Sequence, residues 1–277
     1  MFVFLNGQLV PEEQAVVSVV DRGFLYGDGL FETMRVVNGK PYRGAQHLER
    51  MVRGADFLKI KMPFTPKELH HFAEQLITKN EMPDSVLRVT LTRGVGVRGY
   101  SPRGADSPSV AMTLHPAPAT GEPPAWRLIT ASIRINASDP LTQFKTCNKL
   151  PQILARSEAE AKDADEALLL NTSGEVVETA GANLFWVYRD RVCTAPTGRG
   201  ALPGITRAVV LEICQVLGLA TIKRVIKPEA LRSSEGIFLT QSTLGVVPVT
   251  SLDGEPVNPS PLVEKIYQAY GEMLAKA

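Results

Sequence analysis

The stretch Pro116-Ala-Pro-Ala-Thr-Gly-Glu-Pro-Pro124 constrains the fold of this chain more than any other segment. Its prolines remove backbone donors and fix φ, and no apolar period crosses it, so neither a helix nor a central strand can run through. It reads as a stiff linker over residues 116–125. That divides the chain into a small N-terminal domain, 1–115, and a larger C-terminal domain, 126–277.

Before the linker, Phe2–Leu5 and Gln8–Val10 flank Asn6-Gly7, a strong hairpin signal. Leu30–Val37, Asn38-Gly39 and Lys40–Arg43 form a second one. His47–Leu58 places Leu48, Met51, Ala55 and Leu58 on one helical stripe, and Pro66–Lys79 does the same with Leu69, Phe72, Ala73 and Leu76. Val86–Thr92 and Ser109–Leu114 are β-rich. After the linker, strands are expected at Arg127–Ala131, Glu166–Leu170, Leu184–Val187, Gly236–Leu239 and Gly245–Val249. Helices are expected at Leu150–Lys162, Thr206–Leu217 and Leu262–Ala275. Strands and helices mix without a strict βαβ repeat, which gives an α+β class with two domains.

Composition narrows the functions. A chain of 277 residues that is 44% hydrophobic can bury a large core. A net charge of +1 gives no electrostatic argument for nucleic acid or an anionic membrane. No apolar run reaches the ~18 residues of a membrane span. The N-terminus, Met-Phe-Val-Phe-Leu-Asn-Gly-Gln, reads as a strand and turn, not a signal peptide. Cys147, Cys193 and Cys214 lack paired spacing, which suggests reduced thiols in a cytoplasmic protein. The four histidines are dispersed apart from His70-His71, and no metal site is expected.

Two segments carry chemistry. Lys145-Thr-Cys-Asn-Lys-Leu-Pro holds a candidate Schiff-base lysine. Glu178-Thr-Ala-Gly-Ala-Asn-Leu-Phe-Trp offers a carboxylate on a strand about thirty residues later. Together they supply what pyridoxal phosphate chemistry needs, an amine to hold the aldehyde and an anion to keep the pyridine nitrogen protonated. A surface lysine and a polar strand end are the alternatives. Gly204-Ile205-Thr206 precedes the helical run Val209, Val210 and Ile213, and a helix start after glycine presents N–H groups to an anion. For Thr206 an N-cap is the competing role.

Asp21-Arg-Gly-Phe-Leu-Tyr-Gly-Asp-Gly-Leu-Phe-Glu-Thr33 resembles the opening motif of the fold-type IV pyridoxal phosphate enzymes. That family holds branched-chain and D-amino acid aminotransferases, (R)-amine transaminases and aminodeoxychorismate lyases. The likeness continues through His47-Leu-Glu-Arg50, Thr92-Arg-Gly, Lys145, Glu178 to Trp186, Leu202-Pro-Gly-Ile-Thr-Arg207 and Thr240 to Val249. It implies a two-domain D-amino acid aminotransferase-like fold, pyridoxal 5'-phosphate as cofactor and a homodimer.

Residue by residue, the resemblance makes Lys145 the Schiff-base lysine and Glu178 the pyridine nitrogen partner. It places the phosphate on Gly204, Ile205, Thr206, Ser242, Thr243 and Arg50. A solvated helix charge remains the other reading of Arg50. His47 shares its face and either helps order Glu178 or simply begins a helix. Substrate contacts are implied for Phe31, Thr33, Arg98 and Lys149.

Within the family, Arg98-Gly-Tyr-Ser looks like the lyase subgroup, and Lys149 stands where transaminases usually have tyrosine. Thr33 leans the same way, and Gly245 stands where many transaminases have glutamate. The implied activity is conversion of a small anionic substrate, 4-amino-4-deoxychorismate, to 4-aminobenzoate and pyruvate. The alternative is an aminotransferase for D-amino acids, branched-chain amino acids or (R)-amines.

Overall fold

The computed structural model describes residues 1–118 and 125–277, so residues 119–124 of the expected linker lie outside the described residues. The chain forms two compact units.

The first unit runs from Met1 through the sixth strand and takes in Phe144–Asn148. Its strands are β1 (Phe2–Leu5), β2 (Gln8–Pro11), β3 (Gly29–Val37), β4 (Lys40–Pro41), β5 (Ser85–Thr92) and β6 (Ser109–Pro116). Its helices are α1 (Arg22–Tyr26), α2 (Gly44–Leu58) and α3 (Pro66–Lys79). The strands form one antiparallel sheet in the order β2-β1-β6-β5-β3-β4. Strand alternation sends Leu30, Met34 and Val36 of β3, with Leu87, Val89 and Leu91 of β5, into one core. Leu48, Met51 and Ala55 of α2 and Leu69, Ala73 and Leu76 of α3 cover them. Each fully buried large aliphatic contributes about 1.5–3 kcal/mol relative to exposure. Helix α3 starts where Pro66 and the Thr65–Glu68 capping box require.

Phe144–Asn148 lies along the edge of β3 that β4 leaves open. Phe31 N donates to Lys145 O at 2.9 Å, and Cys147 N donates to Gly29 O at 2.9 Å. Lys145 is therefore held by the backbone of the first unit, although it follows the linker in sequence.

The second unit contains β7 (Trp126–Ile135), α4 (Leu150–Ala161), β8 (Glu166–Asn171), β9 (Val176–Thr179), β10 (Asn183–Tyr188), β11 (Arg191–Thr194) and α5 (Ile205–Val216). It continues with β12 (Thr221–Lys223), α6 (Pro228–Arg232), β13 (Gly236–Gln241), β14 (Gly245–Leu252), β15 (Glu255–Pro256) and α7 (Pro261–Ala275). The strand order β10-β13-β14-β7-β8-β9 closes on itself through the Asn183–Glu178 pair. Leu128, Leu168, Leu184, Trp186, Leu239 and Val247 form one core of this unit. Ala167 and Leu169 of β8 instead join Ala155 and Ala159 of α4 in another. That explains why β8 is apolar at nearly every position: both of its faces are buried. Strand β7 continues past the expected end at Ala131 because a register shift between Thr130 and Arg134 breaks its alternation.

Candidate active site

In β3, Phe31, Thr33 and Arg35 point away from the helix-covered core. Phe31 faces Thr90 and Thr33 faces Arg88 on β5, so these side chains share one sheet face. Lys145 Nζ lies 4.7 Å from the Phe31 ring centroid, and Arg88 Cζ lies 4.0 Å from it. The aromatic face attracts both cations. Three expected residues, Lys145, Phe31 and Thr33, thus meet on one surface of the first unit. Arg88 joins them unannounced. Its signal is the alternation Leu87-Arg88-Val89-Thr90, which turns the arginine to the polar side. Burial pulls its pKa down and Cys147 opposes that, yet a guanidinium stays charged at neutral pH.

Glu32 faces the opposite way, among core residues, and is 1% exposed. An isolated carboxylate there would be very costly. Helix α2 supplies its partners. Arg50 Nε donates to Oε1 at 2.7 Å and Nη2 to Oε2 at 2.7 Å, a bidentate pair. His47 Nδ1 lies 2.6 Å from Oε2. His47 and Arg50 share one helix face, as their spacing predicts. Burial raises the Glu32 pKa, but the bonds from His47 and Arg50 outweigh it and the net shift is downward. Burial lowers the His47 pKa against the pull of Glu32, and Arg50 and Lys145 lower it further. At neutral pH Glu32 is therefore ionised, and neutral His47 donates its Nδ1 proton to it. Within this unit the carboxylate that His47 orders is Glu32. Arg50 is buried in the same network, not a solvated helix charge.

Arg98 lies on the β5–β6 connection with an exposed side chain.

In the second unit, Glu178 of β9 faces Asn183 of β10. Asn183 Nδ2 donates to Glu178 Oε2 at 3.0 Å and to Leu202 O at 2.9 Å, while Leu202 N donates to the same Oε2 at 2.9 Å. Asn183 thereby ties the carboxylate to the segment that begins α5. Gly204 is the N-cap of α5, and a Cβ there would overlap Asn183 Oδ1. The cap has no side chain, so the leading amides and the positive end of the helix dipole are left for an anion. Thr206 is buried and sits inside the first turn, so capping is not its role. Arg207 follows it. Burial lowers the Arg207 pKa and Glu178 opposes that shift.

Ser242 and Thr243 occupy the turn between β13 and β14, where Thr243 Oγ1 donates to Gln241 Oε1 at 2.8 Å. Lys149 is the half-buried N-cap of α4. Gly245 has φ +73°, and a Cβ on it would overlap the Tyr270 ring.

Sequence reasoning missed Glu32, Arg88 and the bridging role of Asn183. The second unit joins a carboxylate to an anion-accepting helix start, and the first sets the Lys145 amine beside the Phe31 ring. These donor types fit pyridoxal phosphate, which has a basic ring nitrogen, a phosphate and an aldehyde. Among the described residues no group of three or more His, Cys, Asp or Glu side chains is placed to hold a metal ion. Nor is any of their helices long and apolar enough to cross a membrane.

Comparison with known proteins identifies the family. The profile of amino-transferase class IV matches residues 29–252. A Methanocaldococcus jannaschii protein provisionally named a branched-chain-amino-acid aminotransferase is 34% identical over 259 residues, 93% of this chain and 90% of the relative. The aminodeoxychorismate lyase of Bacillus subtilis is 28% identical over 253 residues, 91% of this chain and 86% of that one. Among solved structures, the T.th. branched-chain amino acid aminotransferase with pyridoxamine 5'-phosphate is similar with a TM-score of 0.94 and 28% identity. That match covers 99% of this chain and 94% of the other. The chain belongs to the class IV aminotransferase family.

Proposed function

We propose that this protein is a 4-amino-4-deoxychorismate lyase that forms 4-aminobenzoate and pyruvate for folate precursor synthesis. Its cofactor is pyridoxal 5'-phosphate, which would supply an electron sink for the reacting substrate. Lys145 would hold the cofactor and would remove the proton at substrate C4. Glu178, fixed by Asn183 and Leu202, keeps a proton on the pyridine nitrogen. The amides of Ile205 and Thr206 after Gly204 and the hydroxyls of Ser242 and Thr243 would take the phosphate, and Arg50, whose Nε and Nη2 already hold Glu32, would add its positive charge. Arg98 accepts a substrate carboxylate, and Lys149 and Arg88 add positive charge. Phe31 and Thr33 line the substrate side. Loss of the C4 proton and of enolpyruvate from C3 leaves an aromatic ring, so no second keto acid is consumed.

The observation that carries the lyase reading is the packing at Gly245. Many transaminases have glutamate there, but here the Tyr270 ring takes the volume and the backbone is left-handed. The second reading is an aminotransferase, favoured by the 34% identity to the Methanocaldococcus jannaschii relative.

We further propose that the protein works as a cytoplasmic homodimer, with residues 1–115 and 126–277 as its two domains. The exposed Val16, Val17, Val19 and Phe24 form an apolar stretch suited to a second copy. The three free cysteines fit a reducing compartment.

The test is product analysis. Aminodeoxychorismate, generated from chorismate and glutamine by the upstream synthase, should yield 4-aminobenzoate and pyruvate. Fast transamination of D-amino acids, branched-chain amino acids or (R)-amines with no 4-aminobenzoate would reject the lyase reading and leave the family assignment standing.

A further inference from the structure

Inside the first unit, one guanidinium gathers three successive carbonyls of the loop that carries Arg98. Arg22, the first residue of α1, is 4% exposed. Its Nη1 donates to Gly99 O at 2.8 Å and Ser101 O at 3.1 Å, and its Nη2 to Tyr100 O at 3.2 Å. Its Nε donates to Asp28 Oδ2 at 2.8 Å. Tyr26, one helical turn later, accepts from Gly99 N at 3.0 Å, and its ring meets that of Tyr100 edge-on at 5.7 Å.

The base of the loop is held by the same segment. Asp21 Oδ2 accepts from Thr92 Oγ1 at 2.9 Å and Ser109 Oγ at 3.1 Å, the residues that end β5 and begin β6. Arg22 N donates to Gly94 O at 2.8 Å. Residues 21–28 therefore grip the loop at both its root and its crown, while the Arg98 side chain stays exposed. A free loop would have to be ordered each time an anion bound, and ordering it beforehand removes that entropic penalty.

We propose that Arg22 is the positioning residue for anion recognition by Arg98: it fixes the backbone at 99–101 and so raises affinity for a carboxylate substrate that it does not touch. This rests on the reading of Arg98 as a substrate carboxylate ligand. The loss of Arg22 can be tested without stranding a buried charge. Asp28 retains Arg93, whose Nε and Nη2 donate to it at 2.8 Å and 3.1 Å.

The experiment compares the holoenzyme with Arg22→Met, Arg98→Ala and the double variant. Trypsin cleavage after Arg98 should be faster in Arg22→Met by about tenfold or more, because a protease needs the loop to open locally. The KM for aminodeoxychorismate should rise about tenfold with kcat nearly constant, the worth of one charge-assisted contact. On the Arg98→Ala background, Arg22→Met should add little, since coupled residues are non-additive. Unchanged cleavage after Arg98, or additive effects on KM, would overturn the clamp. An unchanged KM in Arg98→Ala would overturn the underlying anion-binding reading, with the cleavage rates still judging the clamp. If Arg22→Met fails to fold, Arg22→Lys carries the same comparison, keeping a charge beside Asp28 without the fork.

Discussion

Asn183 and Glu178 face each other across β9 and β10, and the Asn183 amide reaches Glu178 Oε2 at 3.0 Å. The same amide holds Leu202 O, so one side chain sets both the carboxylate and the approach to α5. Asn183→Ala removes one of the donors to Glu178 Oε2, where Leu202 N also donates. Activity should fall about tenfold and stability by roughly 1–3 kcal/mol, the usual loss when buried hydrogen-bonding groups are orphaned. Steady-state kinetics and urea denaturation measure the two. A variant equal to the parent in both would show that the bridge is incidental.

Glu178→Gln should retain cofactor and lose rate. An amide keeps the shape but cannot hold a proton on a pyridine nitrogen as an anion does. A loss of ~10²–10³-fold in kcat is expected, comparable to removal of one preorganised electrostatic contact. Absorbance gives cofactor content and turnover gives the rate. A full-rate variant would exclude Glu178 as the nitrogen partner.

The buried Glu32–His47–Arg50 network predicts a particular acid sensitivity. The His47 pKa is lowered from 6.5, so below that pH the unfolded chain binds a proton that the folded chain refuses. Stability therefore rises with pH through this window and is lost on acidification. Glu32, lowered from 4.5, adds a second loss of the same sign below that value. His47→Gln should remove the first step and keep the second. Denaturation at pH 8, 6 and 4 distinguishes them, and identical pH profiles for parent and variant would contradict the assignment.

Gly245→Ala should be unusually damaging for so small a change. The residue has φ +73°, where a side chain costs roughly 1–2 kcal/mol, and its Cβ meets the Tyr270 ring. The double variant with Tyr270→Ala should recover the packing part and keep the backbone part. Thermal denaturation of the single and double variants tests this, and strict additivity would deny the contact.

Much of the fold is legible in the sequence because its signals are local. Asn6-Gly7 and Asn38-Gly39 mark hairpins, and Thr65-Pro66 with Glu68 marks the start of α3. What escapes depends on partners far along the chain. Helix α1 has five residues and no apolar period, and its Arg22 acts on carbonyls at 99–101. Ring closure in the second unit rests on one residue pair, Glu178 with Asn183. Alternation in β3 puts Glu32 among core residues, but its meaning comes from His47 and Arg50 on α2. Lys145 has no local mark either. The motifs around it pick it out, and the structure seats it beside Phe31 through backbone bonds to β3.

The central claim is that Lys145 carries the cofactor, and chemical mapping tests it most directly. Borohydride reduction of the purified holoenzyme should remove the absorbance of the bound cofactor and fix a pyridoxyl group on one lysine. Peptide mass mapping should place it on Lys145 Nζ, and Lys145→Ala should fold yet neither acquire the label nor turn over substrate. A label on Lys149 or any other residue, or no label at all, would contradict the account.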